Sequence, residues 1–153
     1  ALLLPRFYTP KRMEKRYKVG VIPHVIDWDY DVMRKIRKER NDILVIDLAH
    51  YDKWTDVIDQ ICSCEAIASS SLHGLIVSDA YNVPNCWITL SGKISGGLFK
   101  YFDYFSSVGR EEAGPVKVER MSDLQKIENK MVSWKPIAID TGPILQSCPF
   151  YRA

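Results

Sequence analysis

Short apolar runs alternate with amphipathic segments along most of this 153-residue chain, with only a few residues between them. Four of these runs have the length and composition of buried β-strands, at 17–23, 43–48, 65–69 and 85–90. The segments between them carry apolar residues at helical spacing, at 32–40, 53–63 and 73–81. Because parallel strands need crossover connections, this order predicts an α/β fold with a Rossmann-like parallel sheet and flanking helices.

The pattern is less regular after residue 90. We expect a glycine- and serine-rich loop, a short helix or ordered turn, a fifth strand, and a helix capped by Ser122, at 91–97, 98–105, 116–118 and 122–134. The length fits one domain. The expected organisation is a basic N-terminal arm or linker at 1–16 and a single domain at 17–153, whose tail (135–153) wraps back over it.

Composition excludes several classes of protein. The hydrophobic fraction of 46% and charged fraction of 26% are those of a globular chain. No apolar stretch approaches the roughly 18 residues that a membrane-spanning helix needs, so we expect no transmembrane segment. The four cysteines lack zinc or redox spacing, which predicts buried or half-buried free thiols, no metal site and a cytoplasmic location.

The most informative motif is SSSLHG at 69–74, between the third predicted strand and the next helix. Open α/β sheets bind ligands at such positions, and the amino end of a helix favours phosphate or carboxylate. Ser69, Ser70 and Ser71 offer hydroxyl groups there. His73 can exchange a proton near pH 7, and Gly74 permits close approach. In the alternative interpretation the serines only cap the helix and His73 packs at its end.

Other polar residues lie near the same predicted edge of the sheet. His24 follows the first strand and is expected on the same rim as the serine loop, either in a site or as polar surface. Lys93 and Lys100 flank the glycine-rich loop, where they would either close over an anion or stay solvated. His50 follows the second strand, and we expect it to be structural. The chain contains no Walker loop, G-x-G-x-x-G fingerprint or G-x-S-x-G elbow.

Several segments together resemble the polysaccharide pyruvyl transferase family, namely KVGVIPH at 18–24, SSSLHG at 69–74 running into LIVSDA at 75–80, and FKYFDY at 99–104. The closing segments resemble the C-terminus of its succinoglycan-type bacterial members, with DTGP at 140–143 and CPF at 148–150. The resemblance covers most of residues 17–150, and the Ser-Leu-His-Gly helix opening is its most specific part.

The resemblance implies the C-terminal half of a type-B glycosyltransferase-like fold, with the N-terminal domain missing from this chain. It implies a transferase that moves the enolpyruvyl group of phosphoenolpyruvate onto two hydroxyls of one sugar, forming a pyruvate ketal in exopolysaccharide biosynthesis and releasing phosphate. The expected partners are phosphoenolpyruvate, as donor substrate without a cofactor, and a glycan or lipid-linked sugar acceptor. Such an acceptor would bring a cytoplasmic protein to the inner face of the membrane.

The resemblance also implies roles for individual residues. His73 would be the general acid/base, and Ser70, Ser71 and the Gly74 amide would hold phosphate or carboxylate. The lysines flanking the glycine-rich loop would neutralise charge as it closes. Some family members have Arg where this chain has Ser71, so that anion partner must come from elsewhere.

Two other classes remain open on the sequence alone. The C-terminal domain of a nucleotide-sugar glycosyltransferase shares the architecture, although no Glu follows the serine loop at the spacing expected for binding a ribose. A non-catalytic binding fragment is the second alternative. A nucleic-acid partner would depend on residues 1–16 alone, and we expect none.

Overall fold

A five-stranded parallel sheet forms the centre of the computed structural model, which describes residues 1–10, 14–93 and 97–149. The strands are β1 (Tyr17–Ile22), β2 (Ile43–Val45), β3 (Cys64–Ser69), β4 (Asn85–Thr89) and β5 (Val116–Lys117). Their order across the sheet is β2-β1-β3-β4-β5, and every pairing between them is parallel. The predicted α/β, Rossmann-like arrangement is confirmed.

Six α-helices accompany the sheet in the described part of the chain: α1 (Asp31–Glu39), α2 (Trp54–Cys62), α3 (Leu72–Ala80), α4 (Phe99–Ser107), α5 (Leu124–Met131) and α6 (Gly142–Gln146). Short 3₁₀ turns lie at Leu4–Arg6, Val25–Asp27 and Met121–Asp123. The predicted fifth strand and the helix after the glycine-rich loop are both present. Residues 94–96 of that loop lie outside the described residues.

Helices cover both faces of the sheet, as a doubly wound fold requires. On one face, Met33 and Ile36 of α1 and Ile127 of α5 are buried against Val21. On the other face, α2 and α3 pack over Ile22, Ile46 and Ile67. A third cluster is aromatic and joins α4 to β4, with Trp87 stacked on Tyr101 at 4.6 Å. Because all strands are parallel, their carboxyl ends lie together at one edge of the sheet, which we call the rim.

Most element ends lie within a few residues of the sequence prediction, and two of the differences have a clear physical cause. β2 ends at Val45 rather than at residue 48, because the Asp47 carboxylate accepts the backbone N–H groups of Ala49 and His50 and turns the chain. Ser122 does not cap α5, and that prediction was wrong. The Asp123 carboxylate instead accepts two backbone N–H groups that precede the helix. The hydrogen bond from Lys126, together with these two, keeps the pKa of Asp123 far below its usual value.

The described part of segment 1–16 contacts the domain. The Tyr8 hydroxyl donates to the Asp59 carboxylate of α2 at 2.8 Å, and Tyr81 donates to the Tyr8 carbonyl at 2.8 Å. Lys15 donates to the carbonyls of Cys62 and Cys64. Lys11, Arg12 and Met13 lie outside the described residues, as do 150–153 of the tail. Within the tail, Ile137 and Ile139 pack on the aromatic cluster, and Leu145 of α6 is buried.

A buried charge network joins the end of α3 to the segment after α4. The Asp79 carboxylate accepts hydrogen bonds from Asn85 Nδ2 at 2.6 Å, the Tyr104 hydroxyl at 2.8 Å and Arg110 Nη1 at 3.1 Å. Burial, with Asp79 alongside, raises the pKa of Tyr104 far above its usual value. Removing one partner from a buried pair of this kind costs about 3–5 kcal/mol. The sequence analysis did not find this network.

No helix in residues 1–10, 14–93 or 97–149 is both long enough and apolar enough to cross a membrane.

The thiols give a direct test of this packing. Cys62, Cys64 and Cys86 are buried as expected, but Cys148 is exposed, because it follows the short α6 at the surface. Burial raises the pKa of Cys62 and Cys64 to about 11 and that of Cys86 to about 12. Because the thiolate is the reactive form, DTNB at pH 8 should modify Cys148 in the folded protein and the other three only in denaturant. Peptide mass spectrometry identifies the modified residue, and rapid labelling of folded Cys62 would contradict this packing.

Candidate functional site

The strand order places a topological switch point between β1 and β3. The chain leaves β1 towards α1 on one face of the sheet and leaves β3 towards α3 on the other. Doubly wound sheets bind ligands in the crevice that opens at this point, outside the carboxyl ends of the strands. His24 follows β1 there, and the serine loop follows β3. The rim predicted from the sequence is therefore the switch point of the sheet.

Ser69 and Ser70 join the ends of β1 and β3 by hydrogen bonds to Ile22 and His24, and we call this group of residues the lock. The Ser70 N–H donates to the Ile22 carbonyl at 3.0 Å, and Ser70 Oγ accepts the His24 N–H at 2.8 Å. Ser69 Oγ lies 3.1 Å from the same Ile22 carbonyl and accepts the Ser71 N–H at 3.0 Å. Ser69 and Ser70 are fully buried. Their role in binding a ligand stays a prediction, and the partners of their hydroxyl groups here are backbone groups.

A cleft of about 560 Å³ opens beside this lock. All three histidines of the chain line it, together with Ser71. Its other walls come from four separate segments and include Leu4, Pro23, Val25, Trp28, Asp47, Leu48, Tyr51, Trp54 and Ile58. The sequence analysis predicted His24, Ser71 and His73 at this rim and missed the aromatic wall. The structure brings these three side chains to one cavity.

His73 and Ser71 lie at the start of α3. Ser71 occupies the N-cap position of that helix, but its side chain makes no capping hydrogen bond. The Ser71 hydroxyl is therefore not consumed by the capping role that the simpler interpretation gave it. His73 is exposed in the first turn, where the helix dipole favours negative charge. This side of the cleft suits an anion.

His24 has a ring orientation set by its own backbone. Its Nδ1 accepts the N–H of Ile26 at 3.3 Å, and an amide N–H can only donate. The neutral ring therefore carries its proton on Nε2. His24 is half-buried in the lining of the cleft, so it supplies a hydrogen-bond donor there.

Asp47 and His50 form a second pair in the same cleft. His50 Nδ1 lies 3.0 Å from Asp47 Oδ2. Partial burial opposes ionisation of Asp47, but the hydrogen bonds from Ala49 and His50 outweigh it, so the pKa of Asp47 is lowered. An ionised carboxylate only accepts, so His50 Nδ1 carries the proton and its Nε2 is the acceptor. The sequence analysis expects His50 to be structural, and the available signal for a role in the site is its position after a strand on this rim.

Gly74 permits the close approach of α3 to this rim. A Cβ atom at Gly74 would overlap Ser69 Oγ and would lie 3.0 Å from Ile22 Cγ2. Both neighbours belong to the lock between β1 and β3. At Gly74 the groups that approach the helix closely are therefore Ser69 and Ile22 of this chain.

Lys93 and Lys100 do not line the cleft. The Lys100 ammonium lies 5.4 Å from the centre of the Tyr101 ring, and Lys93 is exposed. The segment that carries both lysines contacts the rim through two hydrogen bonds. The Tyr101 hydroxyl donates to the Ser70 carbonyl at 2.7 Å, and Ser91 donates to Asp27. Burial, with Asp27 nearby, raises the pKa of Tyr101 to about 12. Charge neutralisation by the two lysines stays a prediction.

Across the described ranges, no three His, Cys, Asp or Glu side chains are grouped closely enough to hold a metal ion.

Fold and site together define a doubly wound α/β domain with a histidine-lined cleft at its switch point. The chain belongs to the polysaccharide pyruvyl transferase family, whose model matches residues 5–92. The match includes β1, the serine loop and α3, and it ends before the FKYFDY and DTGP segments that also carried the resemblance.

The chain is also similar to "Uncharacterized protein L143" of Acanthamoeba polyphaga mimivirus, with 32% identity over 101 residues. The alignment covers 65% of this chain and 35% of the viral protein, so the chain spans about a third of that relative. No solved structure matches the chain significantly.

Substituting Gly74 tests the packing of α3 on the rim. We expect Gly74→Ala to lower the free energy of unfolding by about 1–3 kcal/mol, because the added methyl displaces buried atoms of the lock. Urea denaturation measures the change. Gly142→Ala is the matched control, since the atoms nearest its added Cβ all belong to the side chain of the exposed Asp140. Equal stability of Gly74→Ala and wild type would contradict the close approach.

Proposed function

We propose that the protein carrying this chain transfers the pyruvate unit of phosphoenolpyruvate onto two hydroxyls of one sugar as a ketal. The observation that carries the proposal is the joint position of His24, Ser71 and His73 on one cleft in a member of the pyruvyl transferase family. The proposal includes a glycan or lipid-linked acceptor in exopolysaccharide synthesis, in the cytoplasm at the inner membrane face. A second domain would form the opposite wall of the cleft.

The donor side of the cleft is the amino end of α3. Phosphoenolpyruvate carries a phosphate and a carboxylate on three carbons, and helix N-termini with hydroxyl donors bind such groups. The Ser71 hydroxyl and the Nε2–H of His24 are neutral donors suited to these oxygens. No Arg stands at position 71, so the helix dipole and these donors carry more of the anion binding than in relatives that have it.

The reaction requires proton transfers, and the proposal gives the first of them to His73. A proton is added to the methylene carbon of phosphoenolpyruvate, which becomes a methyl group, and the second carbon develops positive charge. One sugar hydroxyl and then the second form bonds to that carbon, and its bond to the phosphate oxygen breaks. Of the two hydroxyl protons, one replaces the proton given to the methyl group and the other leaves with hydrogen phosphate. An imidazole can both donate and accept a proton, which suits His73 to the first transfer.

We expect His73→Ala in the full-length protein to lower kcat for pyruvyl transfer by about 10²–10⁴-fold, the usual effect of removing a general acid/base. Phosphate release, together with mass spectrometry of the ketal product from a panel of p-nitrophenyl hexosides, measures the change. Gln125→Ala is the matched control, because Gln125 is also an exposed second residue of a helix, on α5. The control should retain wild-type kcat.

Binding separates this proposal from its alternatives. Phosphoenolpyruvate should raise the melting temperature of the wild-type protein more than equimolar phosphate or UDP-glucose does. Stabilisation by UDP-glucose alone would instead indicate a nucleotide-sugar glycosyltransferase. Selective phosphoenolpyruvate binding without transfer in the full-length protein would indicate a non-catalytic binding domain.

A further inference from the structure

We infer that His50, oriented by Asp47, is a second proton-transfer group of this cleft and acts as the general base for the acceptor sugar hydroxyl. The inference rests on the proposed function and adds a residue and a location for the acceptor. His50 lies on the loop after β2, whereas His73 lies on α3, and both side chains line the same cavity.

The hydrogen bonds of this pair define the state of the imidazole. Asp47 Oδ1 accepts the N–H groups of Ala49 at 2.7 Å and His50 at 3.2 Å, so the carboxylate is held in a tight turn. Its Oδ2 faces His50 Nδ1 at 3.0 Å. A carboxylate that fixes Nδ1–H leaves Nε2 as a free acceptor and stabilises the imidazolium formed when it takes a proton. This is the arrangement that a general base requires.

Electrostatics assigns this pair to the acceptor rather than to the donor. The ionised Asp47 repels a ligand that carries both phosphate and carboxylate, whereas a neutral sugar hydroxyl is unaffected. The adjoining wall is aromatic, with Tyr51 and Trp54 about half exposed in the cleft lining. Aromatic faces pack against the apolar faces of sugar rings and give no advantage to a compact anion.

In the proposed reaction His50 accepts one proton and His73 donates another, so that the protons balance. His50 Nε2 takes the proton of the attacking hydroxyl as its oxygen bonds to the second carbon of the donor. His73 has by then delivered a proton to the methylene carbon. The proton on His50 returns to His73 through solvent, and the proton of the second hydroxyl leaves with the phosphate. No oxidant or further co-reactant is needed.

Kinetics of the full-length protein test the assignment. His50→Ala should lower kcat about 10²–10⁴-fold while the Kd for phosphoenolpyruvate changes less than about twofold, and added imidazole should restore part of kcat. Asp47→Asn keeps an oxygen for the turn but presents an amide to Nδ1, so it should also lower kcat without weakening donor binding. Asp52→Asn, on the same exposed loop, is the matched control and should behave as wild type.

A tautomer measurement tests the premise that the Asp47 carboxylate fixes the proton of His50 on Nδ1. Nitrogen-15 NMR above the titration of the ring should show His50 protonated on Nδ1 in wild type, and Asp47→Asn should shift it towards the Nε2–H form. An Nε2–H tautomer in wild type would overturn the inference.

The possible failures are distinguishable. Wild-type protein that transfers no pyruvate to any acceptor overturns the proposed function and this inference with it. Wild-type transfer combined with an unimpaired His50→Ala variant overturns only the inference. Loss of phosphoenolpyruvate binding in His50→Ala would place His50 on the donor side and overturn its assignment to the acceptor.

Discussion

The site depends on one physical constraint, the hydrogen-bonded lock between the carboxyl ends of β1 and β3. The chain leaves these neighbouring strands towards opposite faces of the sheet, so their last backbone groups would otherwise lose their partners. Ser70 supplies both an N–H for the Ile22 carbonyl and an oxygen for the His24 N–H. An unpaired buried group costs about 1–3 kcal/mol, so the lock is a condition of the fold. The positions of His24 and His73 follow from it.

The three consecutive serines show why residue type alone left two interpretations open. Ser69 and Ser70 are buried and bonded to the loop, whereas Ser71 lines the cleft and caps nothing with its side chain. A serine hydroxyl serves equally well for a backbone group and for a ligand, and the sequence carries no sign of which one it meets. The structural interpretation fits the first two serines, and ligand binding by Ser71 stays a prediction.

The alternation of apolar runs and helical stripes was sufficient to predict the parallel sheet and the rim on which the histidines lie. It was not sufficient for contacts between distant segments. Asp79 and Arg110 are 31 positions apart, and their pairing depends on where α4 ends. The cleft wall likewise combines Leu4 and Trp28 with the loop after β2. Periodicity reports which side of an element is apolar, and it does not report which elements meet.

The early end of β2 matters most for the chemistry of the cleft. Had β2 continued to residue 48, Asp47 would alternate with its neighbours across the sheet and could not bond the N–H groups of its own loop. By ending at Val45, the strand releases Asp47 to form the turn that also fixes the His50 ring. His24 is fixed in the opposite sense, because a backbone N–H occupies its Nδ1. The same cleft therefore contains one imidazole poised to donate from Nε2 and another poised to accept there, and both states are set by neighbours within three residues along the chain.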